Sequence, residues 1–122
     1  MTANKDVVAR YQAALGSLDW ATVSSCLADD VERVEWADGF PQSGVAVRGR
    51  AAVIEDMQAP RPFEIRTARA TEENDVVVTE CTVRVPLEGG KVFVGQCCTI
   101  YELKNGKIQR IASFVAENKH PA

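Results

Sequence analysis

The last half of the chain constrains the fold most, because it reads as four strands joined by tight turns. "FEIRTARAT" (63–71) is followed by the polar turn "EEND", and "VVVTECTVRV" (76–85) runs into Gly89-Gly90. "KVFVGQCCTIYEL" (91–103) then meets Asn105-Gly106, which leads into "KIQRIASFV" (107–115). Asn-Gly supplies the two positive-φ residues of a two-residue hairpin, so consecutive strands here run antiparallel. A meander of this length twists and curls, and its inner face needs a cover.

The first half of the chain supplies that cover. "DVVARYQAAL" (6–15) carries Val7 or Val8, Tyr11 and Leu15 at helical spacing before Gly16. Asp19 is a good N-cap for a second helix through "WATVSSCLA" (20–28), with Trp20, Val23 and Leu27 on one stripe. Asp29-Asp30 ends it, and "VERVEW" (31–36) reads as a short strand. Gly49 precedes a third helix over 50–57, which Pro60 and Pro62 terminate. Helices first and strands last, without alternation, predict an α+β domain spanning 1–122: helices on a strongly curved, mostly antiparallel sheet, with a pocket between them.

Composition narrows the function classes. The chain has 122 residues, a net charge of −3 and a pI near 5.2, with its fourteen Lys and Arg scattered. No basic stripe suited to a nucleic-acid backbone is present. No apolar run reaches the roughly 20 residues that span a bilayer, and the N-terminus lacks the apolar core of a signal peptide. A soluble cytoplasmic protein is the expectation, acting on neither nucleic acid nor membrane. Cys26, Cys81, Cys97 and Cys98 lack CxxC spacing and read as buried, reduced thiols. The single histidine, His120, sits in the C-terminal tail, which argues against a zinc site and against an activated cysteine nucleophile.

The order of elements resembles the nuclear transport factor 2-like superfamily, which includes ketosteroid isomerases and SnoaL-like polyketide cyclases. The likeness rests on "VVARYQAAL", "CLADDV", "RGRAAV" and "YELKNGKIQRIASF", in family order over nearly the whole chain. It implies a cone-shaped cystatin-like α+β fold, a mixed sheet, and a pocket for an apolar or carbonyl-containing small molecule. It also implies proton-transfer chemistry, isomerisation or cyclisation, without metal or organic cofactor. The fold also hosts non-catalytic ligand-binding and dimerisation modules, so that alternative stands beside the enzyme reading.

The resemblance assigns candidate residues. Tyr11 matches the donor tyrosine of the isomerases' first helix; as a plain core aromatic it needs no such role. For the general base, counting forward from "ADD" reaches Glu35, and counting back from "GRAAV" reaches Phe40. Alternation that turns Val34 and Trp36 inward sends Glu35 to solvent and brings Asp38 to the inner face, ahead of Glu35 as the base. Asp38 read as a turn residue before Gly39 remains the other possibility. The isomerases' second oxyanion donor, an acid, falls near Thr99, with Cys97 and Tyr101 on the same face and no carboxyl group among them. Trp20, Trp36, Phe40 and Phe114 are expected to form the apolar wall with Thr99 and Tyr101 beside the substrate. Epoxide hydrolases of this fold use an Asp-Arg-Asp arrangement, and no complete triplet matches around Arg33, Arg48, Arg69 or Arg84. Cys98 and Ile100 point away from the pocket, an outward apolar face that predicts a homodimer.

Overall fold

The structure, a computed structural model, describes residues 3–118; His120 lies outside them. Helix α1 (Asn4–Gly16) and helix α2 (Trp20–Cys26) form a hairpin, followed by strand β1 (Leu27–Ala37) and the two-residue strand β2 (Val47–Arg48). Helix α3 (Arg50–Asp56) precedes the long strands β3 (Glu64–Glu73), β4 (Val76–Pro86), β5 (Val92–Lys104) and β6 (Lys107–Glu117). A short 3-10 turn, Glu88–Gly90, joins β4 to β5. The sheet order is β2-β1-β6-β5-β4-β3, with β1 parallel to β6 and the other neighbours antiparallel. This mixed, open sheet under N-terminal helices is the expected α+β arrangement.

Local chemistry explains the turns. Asn105 (φ 53°) and Gly106 (φ 75°) form one two-residue hairpin, and Asn74 (φ 50°) with Asp75 (φ 63°) forms another. Asp19 caps α2 by accepting from the Thr22 backbone N–H at 3.2 Å and the Thr22 hydroxyl at 2.7 Å. Gly16 is needed for close approach: an added Cβ would lie 2.6 Å from the Phe63 carbonyl oxygen. There the Phe63 N–H donates to the Gly16 carbonyl at 2.9 Å, tying the end of α1 to the start of β3.

The boundary between α2 and β1 differs from the sequence expectation. Leu27 and the acids after it belong to the strand, so β1 has 11 residues rather than six. Pairing decides this: Leu27 lies opposite Ile108 of β6, and that tertiary ladder outweighs the local helical stripe. Val7, Val8, Tyr11, Val23, Leu27, Val31, Val53, Ile108 and Ile111 close the core between helices and sheet. Trp20 packs partly buried against this core. Among the described residues no helix is long and apolar enough to cross a membrane.

Candidate functional site

Register assigns the two faces of the sheet. Arg33, Glu35 and Ala37 of β1 stand opposite Ile111, Ser113 and Val115 of β6. Tyr101, Thr99 and Cys97 of β5 continue those rows, and Val77, Thr79 and Cys81 of β4 complete them. One row across the concave face is therefore polar: Glu35, Ser113, Thr99 and Thr79. Ser113 and Thr99 join their hydroxyls at 3.1 Å.

Between this face and the helices lies a cavity of about 270 Å³. Tyr11, Gln12, Arg33, Glu35, Asp56, Met57, Thr99, Tyr101 and Ser113 supply its polar and polarisable lining. Leu15, Phe63, Ile65, Val83, Val85, Phe93 and Ile111 supply its apolar wall. A volume near the lower end of small-ligand pockets, mostly apolar with a few convergent polar groups, suits one small organic molecule.

Arg33 organises the charged end. Its Nη2 donates to Glu35 Oε2 at 2.9 Å, and its Nη1 donates to Asp56 Oδ2 at 2.9 Å. Arg33 and Glu35 share a face because they are two apart on one strand. Asp56 reaches them because Gly49, at φ 93°, turns the chain from β2 into α3. The planar guanidinium holds both carboxylates in one geometry, which a lysine would not do.

Tyr11 closes the cavity from α1. It is buried, its ring meets Tyr101 edge-on at 5.8 Å, and its hydroxyl donates to the thioether of Met57 at 3.2 Å. Burial pushes its phenol up to about 12; the nearby Arg33 charge opposes that rise, and Cys26 and Glu35 add to it. Tyr11 is thus a neutral hydrogen-bond donor at any ordinary pH. Tyr101 is raised well above its usual value, first by burial and then by Tyr11. Its hydroxyl accepts from Gln12 Nε2 at 3.1 Å. Burial likewise raises the Cys97 thiol to about 12, so it is not a thiolate nucleophile near neutral pH.

Several sequence expectations need correction. Glu35, not Asp38, lies on the concave face with Tyr11. Trp36 and Phe114, expected in the pocket wall, stack on each other on the opposite face at 4.9 Å and 9°. They are 39% and 45% exposed. They line, with Asp38, Glu80 and Cys98, an open depression of about 620 Å³ on that face. Alternation misled because the outer face carries apolar side chains too. Asp38 is exposed in the turn after β1, where the Phe40 N–H donates to the Ala37 carbonyl at 3.2 Å. Phe40 stands at the cavity mouth, 52% exposed, edge-on to Phe93 at 6.5 Å. Trp20 is absent from the lining, since its helix packs on the core beside the cavity. Of the four cysteines expected to be buried, Cys26 and Cys81 are, whereas Cys97 is half-buried and Cys98 exposed.

No sequence motif marks Gln12, Met57, Asp56 or Ser113, and Arg33, for which the sequence offers no complete acid–arginine–acid triplet, stands between Glu35 and Asp56 in the fold. The "RVE" spacing at 33–35 was a usable signal, because i and i+2 share a strand face. Asp56 carried no local sign of its destination. Among the described residues no cluster of three or more His, Cys, Asp or Glu is arranged to hold a metal.

A curled sheet with three helices over its concave face and a polar-tipped cavity between them defines the nuclear transport factor 2-like class. The chain belongs to the SnoaL-like domain family, whose sequence profile matches residues 8–111. Solved structures agree. A Mycobacterium tuberculosis protein described as an LEH-like epoxide hydrolase is 25% identical, with a TM-score of 0.74 over 90% of this chain and 80% of that one. A putative ketosteroid isomerase from Kribbella flavida is 19% identical, with a TM-score of 0.74 over 98% and 82%. A putative SnoaL-like polyketide cyclase from Jannaschia is 20% identical, with a TM-score of 0.75 over 92% and 84%. The latter two likenesses concern the fold alone. Comparison with curated protein sequences returns no match.

Proposed function

We propose that this protein is a cofactor-independent acid–base enzyme that moves a proton on an apolar, carbonyl-containing small molecule. One observation carries the reading: Glu35 and Tyr11 line the same cavity, and among the described residues the Tyr11 O–H donates to a thioether alone. A thioether is a weak acceptor, so a substrate oxygen displaces it at small cost. In the reaction a C–H bond next to the carbonyl breaks and its proton passes to Glu35. The electron pair moves into an enolate, and Tyr11 donates to the enolate oxygen. Where the substrate carries a C=C bond β,γ to the carbonyl, the intermediate is a dienolate, and return of the proton to its γ carbon shifts the double bond and completes an isomerisation. Arg33 engages Oε2 of Glu35, and Oε1 makes no described hydrogen bond. Thr99, lacking a carboxyl group, lines the site without replacing the isomerases' second acid.

The test is α-proton exchange of 4-phenylcyclohexanone in D2O, followed by proton NMR. Catalysed exchange that falls by about 10²–10⁴-fold in Glu35→Gln supports the reading. Exchange at the buffer rate with intact binding would leave a ligand-binding module.

The Glu35–Arg33–Asp56 bridge favours a second reading, epoxide hydrolysis. It has the acid–arginine–acid form used by epoxide hydrolases of this fold, and the 25%-identical M. tuberculosis protein carries that description. One carboxylate takes a proton from water, the hydroxide oxygen bonds to an epoxide carbon, and the C–O bond breaks. The other carboxyl group, protonated, gives its proton to the alkoxide. Diol formation from styrene oxide in ¹⁸O-water separates this reaction from ketone exchange.

We also propose that the outer face pairs two copies of the chain. Trp36 and Phe114 are exposed there, and the flanking ion pairs Arg69–Glu80 and Arg110–Glu102 carry both signs. A face of balanced charge does not repel its own copy.

A further inference from the structure

The cavity has a second polar end, remote from Glu35, which the acid–base chemistry does not use. Gln12 of α1 is buried, with 8% of its surface exposed. Its Nε2 donates to the Tyr101 hydroxyl at 3.1 Å and to Thr79 Oγ1 at 3.4 Å, and its Oε1 accepts from Thr67 Oγ1 at 2.8 Å. One helical side chain thus meets β5, β4 and β3 through neutral groups. Gln12 and Tyr101 line the cavity, whereas Thr67 and Thr79 are outside its lining.

Distance and capacity give this end a meaning. β5 lies two strands and β4 three strands from β1 in the sheet. At about 4.8 Å per strand, the neutral end is roughly 10–14 Å from the Arg33–Glu35 end. The Gln12 carbonyl has two lone pairs and one described donor, Thr67, so it can accept one more hydrogen bond. Charged groups gather at the Arg33–Glu35 end, and the polar groups from Ser113 and Thr99 to Gln12 are neutral.

We propose that Gln12 is a specificity-determining residue: it selects elongated substrates carrying a neutral donor, such as a hydroxyl, at the end away from Glu35, roughly 10–14 Å from the Glu35 strand by strand spacing. The proposal rests on the acid–base reading for which end reacts, but its test needs only binding. A site built around a buried acceptor discriminates against an analogue lacking the donor, since the acceptor's second lone pair is then left in the cavity without a partner.

The experiment compares 4-phenylcyclohexanone with 4-(4-hydroxyphenyl)cyclohexanone by isothermal titration calorimetry. The wild-type protein binds the hydroxylated ketone at least ~10-fold more tightly. In Gln12→Leu, or in Gln12→Met should the leucine variant fail to fold by circular dichroism, the two probes bind within about threefold of each other. Thr67→Val cuts the network but spares the Gln12 carbonyl, and it retains the preference. Equal binding of both probes to wild type, no binding of either, or a preference that survives loss of Gln12 overturns the proposal. So does equal loss in Thr67→Val and Gln12→Leu, which means that the network only holds the cavity's shape. Absent proton exchange with the preference intact counts against the catalytic reading alone.

Discussion

The Tyr11 hydroxyl donates to the Met57 thioether at 3.2 Å, linking the first helix to the end of the third across the cavity. Among the described residues, the Met57 thioether is the acceptor that the phenol O–H reaches. Met57→Leu keeps the volume but leaves a buried O–H unpaired, which costs about 1–3 kcal/mol. Thermal unfolding should show that loss, and a bound ketone should reduce it by supplying a new acceptor. Equal destabilisation with and without ketone would place the ketone away from Tyr11.

The raised phenol of Tyr11 sets an alkaline limit on stability. Folded Tyr11 titrates near 12 against about 10 unfolded, so above pH 10 the unfolded chain loses a proton that the folded chain keeps. Its contribution is complete below pH 10 and is lost as pH rises toward 12, amounting to about 3 kcal/mol. Tyr101 shifts in the same direction. Urea midpoints between pH 9 and 12 should fall, and Tyr11→Phe should flatten the curve.

Arg33 serves the site more than the fold. Its carboxylate partners are over a third exposed, so each pair contributes about 0–1 kcal/mol to stability. Arg33→Met should therefore change the melting temperature little, yet lower turnover by at least ~10-fold through loss of Glu35 placement. A variant with unchanged turnover would remove Arg33 from the site.

Gly16→Ala places a methyl 2.6 Å from the Phe63 carbonyl oxygen, which is backbone and cannot swing aside. The ends of α1 and β3 must separate, at a cost of about 1–3 kcal/mol. Denaturant unfolding measures it, and a neutral result would show that the junction is looser than the 2.9 Å Phe63–Gly16 hydrogen bond implies.

Phe114→Arg introduces charge at the centre of the outer face without touching the cavity. If two copies meet there, light scattering should shift from twice 13.3 kDa to 13.3 kDa, with ligand binding retained. A wild-type chain already monomeric refutes the pairing.

The sequence by itself determined the order of helices and strands, because the signals are local. Asn105-Gly106 demands a hairpin, Asp19 caps a helix, and each period-2 run must pair with the next strand. It also brought Glu35 and Tyr11 into consideration. Only the tertiary structure decided how β1 faces. Its outer side carries Val34 and Trp36 and its inner side Arg33 and Glu35, the reverse of what burial by hydrophobicity alone predicts. The reason is that Trp36 finds Phe114 on the neighbouring parallel strand, while the inward polar pair finds Asp56 of α3, 23 residues beyond Arg33. Partners separated that far in the chain leave no periodic trace, so the concave face, Gln12 included, becomes visible only once the sheet has curled beneath its helices.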